Sequence, residues 1–173
     1  MARRLGFARL RQTHLPERPS MGRIFASAVA GLSGAATHWL LMMSKQQLRL
    51  FPEFQPYESF QRLLISLLGS ELHPTAAWAI SLVSGGTIIG FLYAQTYSAL
   101  PFRNGIGKGL AFAVIAWIIL NLALFPAIGL GYFAMRTSAG LGASAFSLVM
   151  VSIYGMVMGG TYAVLLKYSN RTS

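Results

Sequence analysis

Four long runs in this chain contain no aspartate, glutamate, lysine or arginine, and they decide what it can fold into: about 24–44, 75–100, 109–129 and 141–166. Crossing roughly 30 Å of hydrocarbon takes about 20 helical residues, so each run is long enough to span a bilayer. Helices are required because backbone polar groups in lipid must be satisfied within the segment. The apolar residues are consecutive rather than alternating, which argues against a barrel strand. The expectation is therefore an all-α integral membrane four-helix bundle. It divides into a basic N-terminal tail (1–23), a four-helix domain (24–168) and a short C-terminal tail (169–173).

Composition sharpens this. Hydrophobic residues make up 54% of the chain and charged residues only 10%, against about a quarter in a soluble domain. The absence of cysteine excludes a disulfide-built secreted domain, thiol chemistry and a Cys-ligated metal site. The net charge of +10 is confined to the gaps between apolar runs. Arg3, Arg4, Arg9, Arg11, Arg18 and Arg23 precede the first run, Arg103 and Lys108 lie between the second and third, and Lys167 and Arg171 follow the fourth. Only Lys45, Arg49, Arg62 and Arg136 fall on the other side, and Glu53, Glu58 and Glu71 offset the first three of these. Basic residues mark the cytoplasmic side, so both termini are expected there.

The first 20 residues are Arg-rich with interspersed Leu5, Phe7 and Leu10, which suits either a mitochondrial targeting sequence or a cytoplasmic anchor on anionic head groups. Arg23 directly abuts the first run and favours the anchor, with Arg3, Arg4, Arg9 and Arg11 contacting lipid or a partner. A basic tail can also bind nucleic acid, but the remaining chain gives no support for that.

The first connection holds a shorter helix. Pro56 is placed to open it and Gly69 to stop it, while Phe60, Leu63, Leu64, Leu67 and Leu68 fall on one face. About 14 residues cannot cross a bilayer, so this segment is expected to lie along the outer surface, apolar face down, or to act as a lid over the bundle.

Helices in lipid associate through small residues that let backbones approach. Candidates for such contacts are Gly31 and Gly34 in the first run, Gly86 and Gly90 in the second, and Gly155 and Gly159 in the fourth. The pattern Gly86-x-x-x-Gly90-x-x-Tyr93-Ala94 matches Gly155-x-x-x-Gly159-x-x-Tyr162-Ala163, which suggests two hairpins in parallel repeat packed through their even-numbered members.

The order of these features resembles an uncharacterised family of short four-span bacterial inner-membrane proteins, a domain of unknown function. The resemblance runs from about Phe25 to Tyr168. It is carried by MMSKQQLRLFPEFQPYESFQRLL, GGTIIGFLYAQTYSALP, GKGLAFAVIAWIILNLALFPAIGLGYFA and VSIYGMVMGGTYAVLLKY. It implies a bacterial plasma-membrane protein and brings no catalytic residues. The Arg-rich tail departs from it.

No carboxylate lies in a span and none follows Glu71, which argues against a proton pump, a cation antiporter or paired-carboxylate catalysis. Gly105-x-Gly107-x-Gly109 lacks the strand and spacing of a phosphate-binding loop. His38 is the one ionisable group within a span. It is a candidate ligand for a haem or chlorophyll-type pigment, with His73 on the same side as a second ligand, or else an interfacial histidine bonded to a nearby carbonyl beside Trp39. Asn121 and Trp117 share a face one turn apart. Gln95, Ser84, Thr87, Ser147, Ser152 and Thr161 complete the polar set expected inside the bundle, where they either bridge helices or line a solute path. Pro126, Gly129 and Gly131 should end or kink the third run and leave an apolar, mobile turn after it. The chain is thus expected to be a non-enzymatic accessory or assembly subunit of a membrane complex. Its partners would be the bilayer and either another protein or a second copy. A solute or lipid transporter with Asn121 and Gln95 in its path is the alternative, and a pigment carrier a third.

Overall fold

The computed structural model describes residues 21–69, 72–73 and 75–169, and all regular structure among them is helical. The elements are α1 (Met21–Gln47), α2 (Pro56–Leu68), α3 (Ala76–Thr96), α4 (Gly105–Ala127) and α5 (Leu141–Ser169). All but α2 are long and apolar enough to cross a membrane. The N-terminus of α1 and the C-terminus of α5 lie together, since a Cβ on Gly22 would come 2.9 Å from Ser169 Oγ. This is the terminal end, and the opposite end carries α2.

α4 begins at Gly105, four residues before the expected start. The Asn104 side chain caps it by accepting from the Gly107 N–H at 2.6 Å. Glycines at 105, 107 and 109 are poor helix formers, which hid this first turn in the sequence. Packing overrides propensity here because Gly105 and Gly109 sit against the backbone of α5 at Gly159 and Gly155.

Two spans depart from regular α geometry. α3 contains a π turn at Gly85–Ile89, where the Gly90 N–H reaches Gly85 O. α4 contains another at Leu120–Leu124, where Phe125 N–H reaches Leu120 O. The second sits just before Pro126, whose ring would otherwise clash with a carbonyl one turn back and which has no N–H to donate.

α1 and α5 form the inner pair, with α3 packed on α1 and α4 on α5. This corrects the expected pairing of even-numbered spans. A glycine face gains most where its partner is also small, and each pair of spans supplies its own partner. A Cβ on Gly90 would strike Ser27 O and lie 3.1 Å from Gly31 Cα, while one on Gly159 would strike Gly105 O and lie 2.8 Å from Gly109 Cα. Gly34 faces α5 at Tyr154 and Met158.

Two apolar cores result. At the terminal end Ala26, Ala30, Tyr93, Leu100, Met158 and Tyr162 pack together. At the other end Phe54, Phe125, Ile128, Leu130, Ala134 and Ala143 do so, joined by Phe60 and Leu63 of α2. The face predicted for α2 is therefore split. Its first half closes over the bundle as a lid, and Leu67 and Leu68 remain 72% and 61% exposed. Gly69 ends α2 in the left-handed conformation (φ 62°) with its N–H on Ile65 O. The segment after α4 is not a loose turn. Ile128, Leu130 and Ala134 are buried, and left-handed Gly129 and Gly131 turn the chain back on itself.

Candidate functional site

The buried polar groups gather in two places. In the first, Asn121 lies fully buried in the π turn of α4. Its Nδ2 donates to Trp117 O at 2.8 Å, and its Oδ1 accepts from Ser144 Oγ at 2.7 Å. Trp117 Nε1 donates to Ser144 O at 3.2 Å and to Ser147 Oγ at 3.0 Å, and Ser147 Oγ donates to Ser144 O at 2.7 Å. Four side chains thus bond α4 to α5 and satisfy one another, as buried polar groups in an apolar setting must.

The second cluster ties four helices together around His38. Its Nδ1 lies 3.1 Å from Tyr57 Oη, so its partner is a hydroxyl on the lid helix rather than a carbonyl. Ser81 Oγ donates to the same hydroxyl at 3.4 Å, and the Tyr57 ring stacks on Trp78 at 3.9 Å. Burial pushes the Tyr57 phenol above its ordinary value, partly countered by Ser81, so it stays neutral at physiological pH. Tyr154 meets the His38 ring edge-on at 6.3 Å and donates its hydroxyl to Gly85 O at 3.1 Å. The π turn of α3 is thereby pinned to α5. Tyr57→Ala removes both the stack and the hydroxyl, and should cost about 1–2 kcal/mol, whereas Tyr57→Phe keeps the stack and should cost less. Thermal unfolding in mild detergent, followed by tryptophan fluorescence, measures both.

The remaining predicted residues are dispersed. The His73 side chain is exposed with Nδ1 2.8 Å from Thr75 Oγ1, and its carbonyl accepts from Gln61 Nε2 at 2.8 Å. It shares no hydrogen-bond or ring partner with His38 among the described residues. No group of three or more metal-ligating side chains occurs among the described residues. Gln95 and Thr87 are exposed rather than buried, and Thr87 bonds back to Val83 O. Gln95 faces outward, whereas Asn121 is fully buried. Ser33 and Thr161 do meet, at 3.2 Å between α1 and α5. Arg3, Arg4, Arg9 and Arg11 lie outside the described residues.

Sequence reasoning missed two lysines. Lys45, expected as a flanking surface cation, is only 1% exposed. Its ammonium donates to Phe54 O, because the chain after α1 folds back through left-handed Arg49 and Phe51. Lys108 donates to Tyr97 O at 2.5 Å and sits 4.3 Å above the Tyr97 ring. Tyr97 packs edge-on against Tyr93 and Tyr162, so the two matched tyrosines of the repeat share one cluster. Its position four residues after Tyr93 was the available signal.

Glu53 joins the first connection to the third by accepting from the Ser138 N–H at 3.2 Å. The Ser138 hydroxyl and N–H hold its carboxyl below the usual glutamate value. A depressed folded value means the contact is fully present above the ordinary glutamate range and is lost as pH falls through the lowered value. The small melting difference between wild type and Glu53→Gln should accordingly vanish on acidification, which a pH series of thermal melts would record.

The family model that matches this chain is described as a family of unknown function, DUF6789, and covers residues 21–173. It agrees with the expected membership of an uncharacterised domain family. No curated protein and no solved structure matches the chain.

Proposed function

Since the chain belongs to the DUF6789 family, we propose that it is a non-enzymatic membrane protein that works by contact, as an accessory or assembly subunit of a larger membrane complex. One observation carries this reading. The polar side chain best placed to act within a span, Asn121, is consumed by bonds to Ser144 of α5 and to Trp117 O of its own helix. Outward the spans offer large apolar side chains, with Ile88, Phe91 and Leu92 on α3 and Ile115, Ile118, Ile119 and Leu122 on α4 exposed. Such faces suit lipid or the spans of a neighbour. The basic balance of the chain supports placement in the bacterial inner membrane with both termini cytoplasmic. A C-terminal reporter should therefore be active only inside the cell, and external activity refutes that topology. Purification in gentle detergent should bring down a stoichiometric partner or a second copy, and a lone monomer counts against the assembly role.

Two other readings keep distinct signatures. A transporter using Asn121 would lose reconstituted flux in Asn121→Leu. A pigment carrier would show visible absorption that disappears in His38→Phe.

A further inference from the structure

We infer that the terminal end holds a binding site for the phosphate-bearing head group of an anionic phospholipid. A cleft of about 370 Å³ opens there between the start of α4 and the end of α5, with Arg103 and Lys167 on its rim and Tyr97, Ala163 and Leu166 in its floor. Arg103 and Lys167 make no hydrogen bond or ion pair with any described residue. The carboxylates among the described residues, Glu53 and Glu58, belong to the α2 end. Arg103, Lys108 and Lys167 therefore gather at one end of the bundle, away from both of these carboxylates. A cleft lined by one sign of charge concentrates the opposite ion, and basic pockets between spans at the bilayer surface suit anionic head groups.

The walls favour a lipid over a free anion. The cleft lies where two membrane-length helices end, and besides Asn104 and the two cations its lining is the Tyr97 ring and the aliphatic Ala163 and Leu166. Ile106 and Val164 are 55% and 52% exposed on the same two helices, so acyl chains can run along them beneath the head group. The Asn104 side chain already occupies the Gly107 N–H. The two cations, rather than the helix terminus, therefore supply the attraction.

Native mass spectrometry of the full chain, titrated with phosphatidylglycerol, phosphatidylcholine or inorganic phosphate, tests this. Phosphatidylglycerol should be retained well above phosphatidylcholine, and R103Q/K167Q should weaken its retention roughly 10- to 30-fold. R49Q/R136Q, which removes two exposed cations from the other end, should leave it unchanged. Both pairs are on the surface, and circular dichroism checks that each variant folds. Equal retention of the two lipids overturns the inference, as does an R103Q/K167Q variant that binds like wild type. Displacement of the lipid by low-millimolar inorganic phosphate reassigns the cleft to a soluble anion and also overturns it.

Discussion

Gly109→Val is expected to pull α4 away from α5 and to produce the largest single loss of stability in the bundle. A Cβ at position 109 falls on Gly155 O, and 3.0 Å from Gly159 Cα, so the obstruction is backbone that no rotamer change can move. Overpacking a tight interface costs about 1–3 kcal/mol when side chains can shift, and a backbone clash belongs at or above the top of that range. The damage should spread, because separating these helices also stretches the Asn121–Ser144 and Trp117–Ser147 bonds. A matched pair on α5 isolates the cause. Gly159→Ala meets Gly105 O and should be severely destabilising, whereas Gly160→Ala meets only Ile106 Cγ1 at 3.5 Å and should be close to neutral. Detergent-denaturation midpoints give the ranking, and equal effects at 159 and 160 would dismiss close backbone approach as the reason for glycine here.

Asn121→Leu should cost about 1–2 kcal/mol. The substitution removes the acceptor of the Ser144 hydroxyl, in a buried contact, and the donor to Trp117 O, in a partly buried one. Interhelical side-chain bonds in membranes average about 0.6 kcal/mol and reach about 1.7, and the stranded groups add to that. A double-mutant cycle with Ser144→Ala should return a coupling in the upper half of that span. Vanishing coupling would mean that the two residues are neighbours without being partners.

The span architecture was legible because lipid imposes one rule on every residue of a run, and the four runs obey it. The helix in the first connection could be read from Pro56 and Gly69, which fix φ or release it locally. Pairing was harder. The glycines at 90 and 159 announce close approach, but nothing local says which neighbour approaches, and the answer lay in Ser27, Gly31, Gly105 and Gly109 on other helices. The polar residues divide in the same way. Trp117 and Asn121 share a face by spacing alone, so their cluster was visible. The outward direction of Gln95 depends on how α3 is turned against α1, which spacing does not reveal. Lys45 reads as a surface cation until the chain beyond it returns to offer the Phe54 carbonyl.

The widened turn at Gly85–Ile89 also resets the phase of the helix that carries it. One residue added to a helical turn swings everything downstream by about 100° relative to an uninterrupted helix. α5 has no such insertion, and its Gly155 and Gly159 both meet the α4 backbone, whereas in α3 Gly90 meets the α1 backbone at Ser27 and Gly86 lies against the Leu32 side chain of that same helix. The two halves of the chain thus carry the same letters at the same intervals and turn them to one partner helix each, but only in α5 do both glycines meet partner backbone closely. Shortening residues 85–89 by one should turn Tyr93 away from Phe112 and Tyr162, its ring partners on the neighbouring helices.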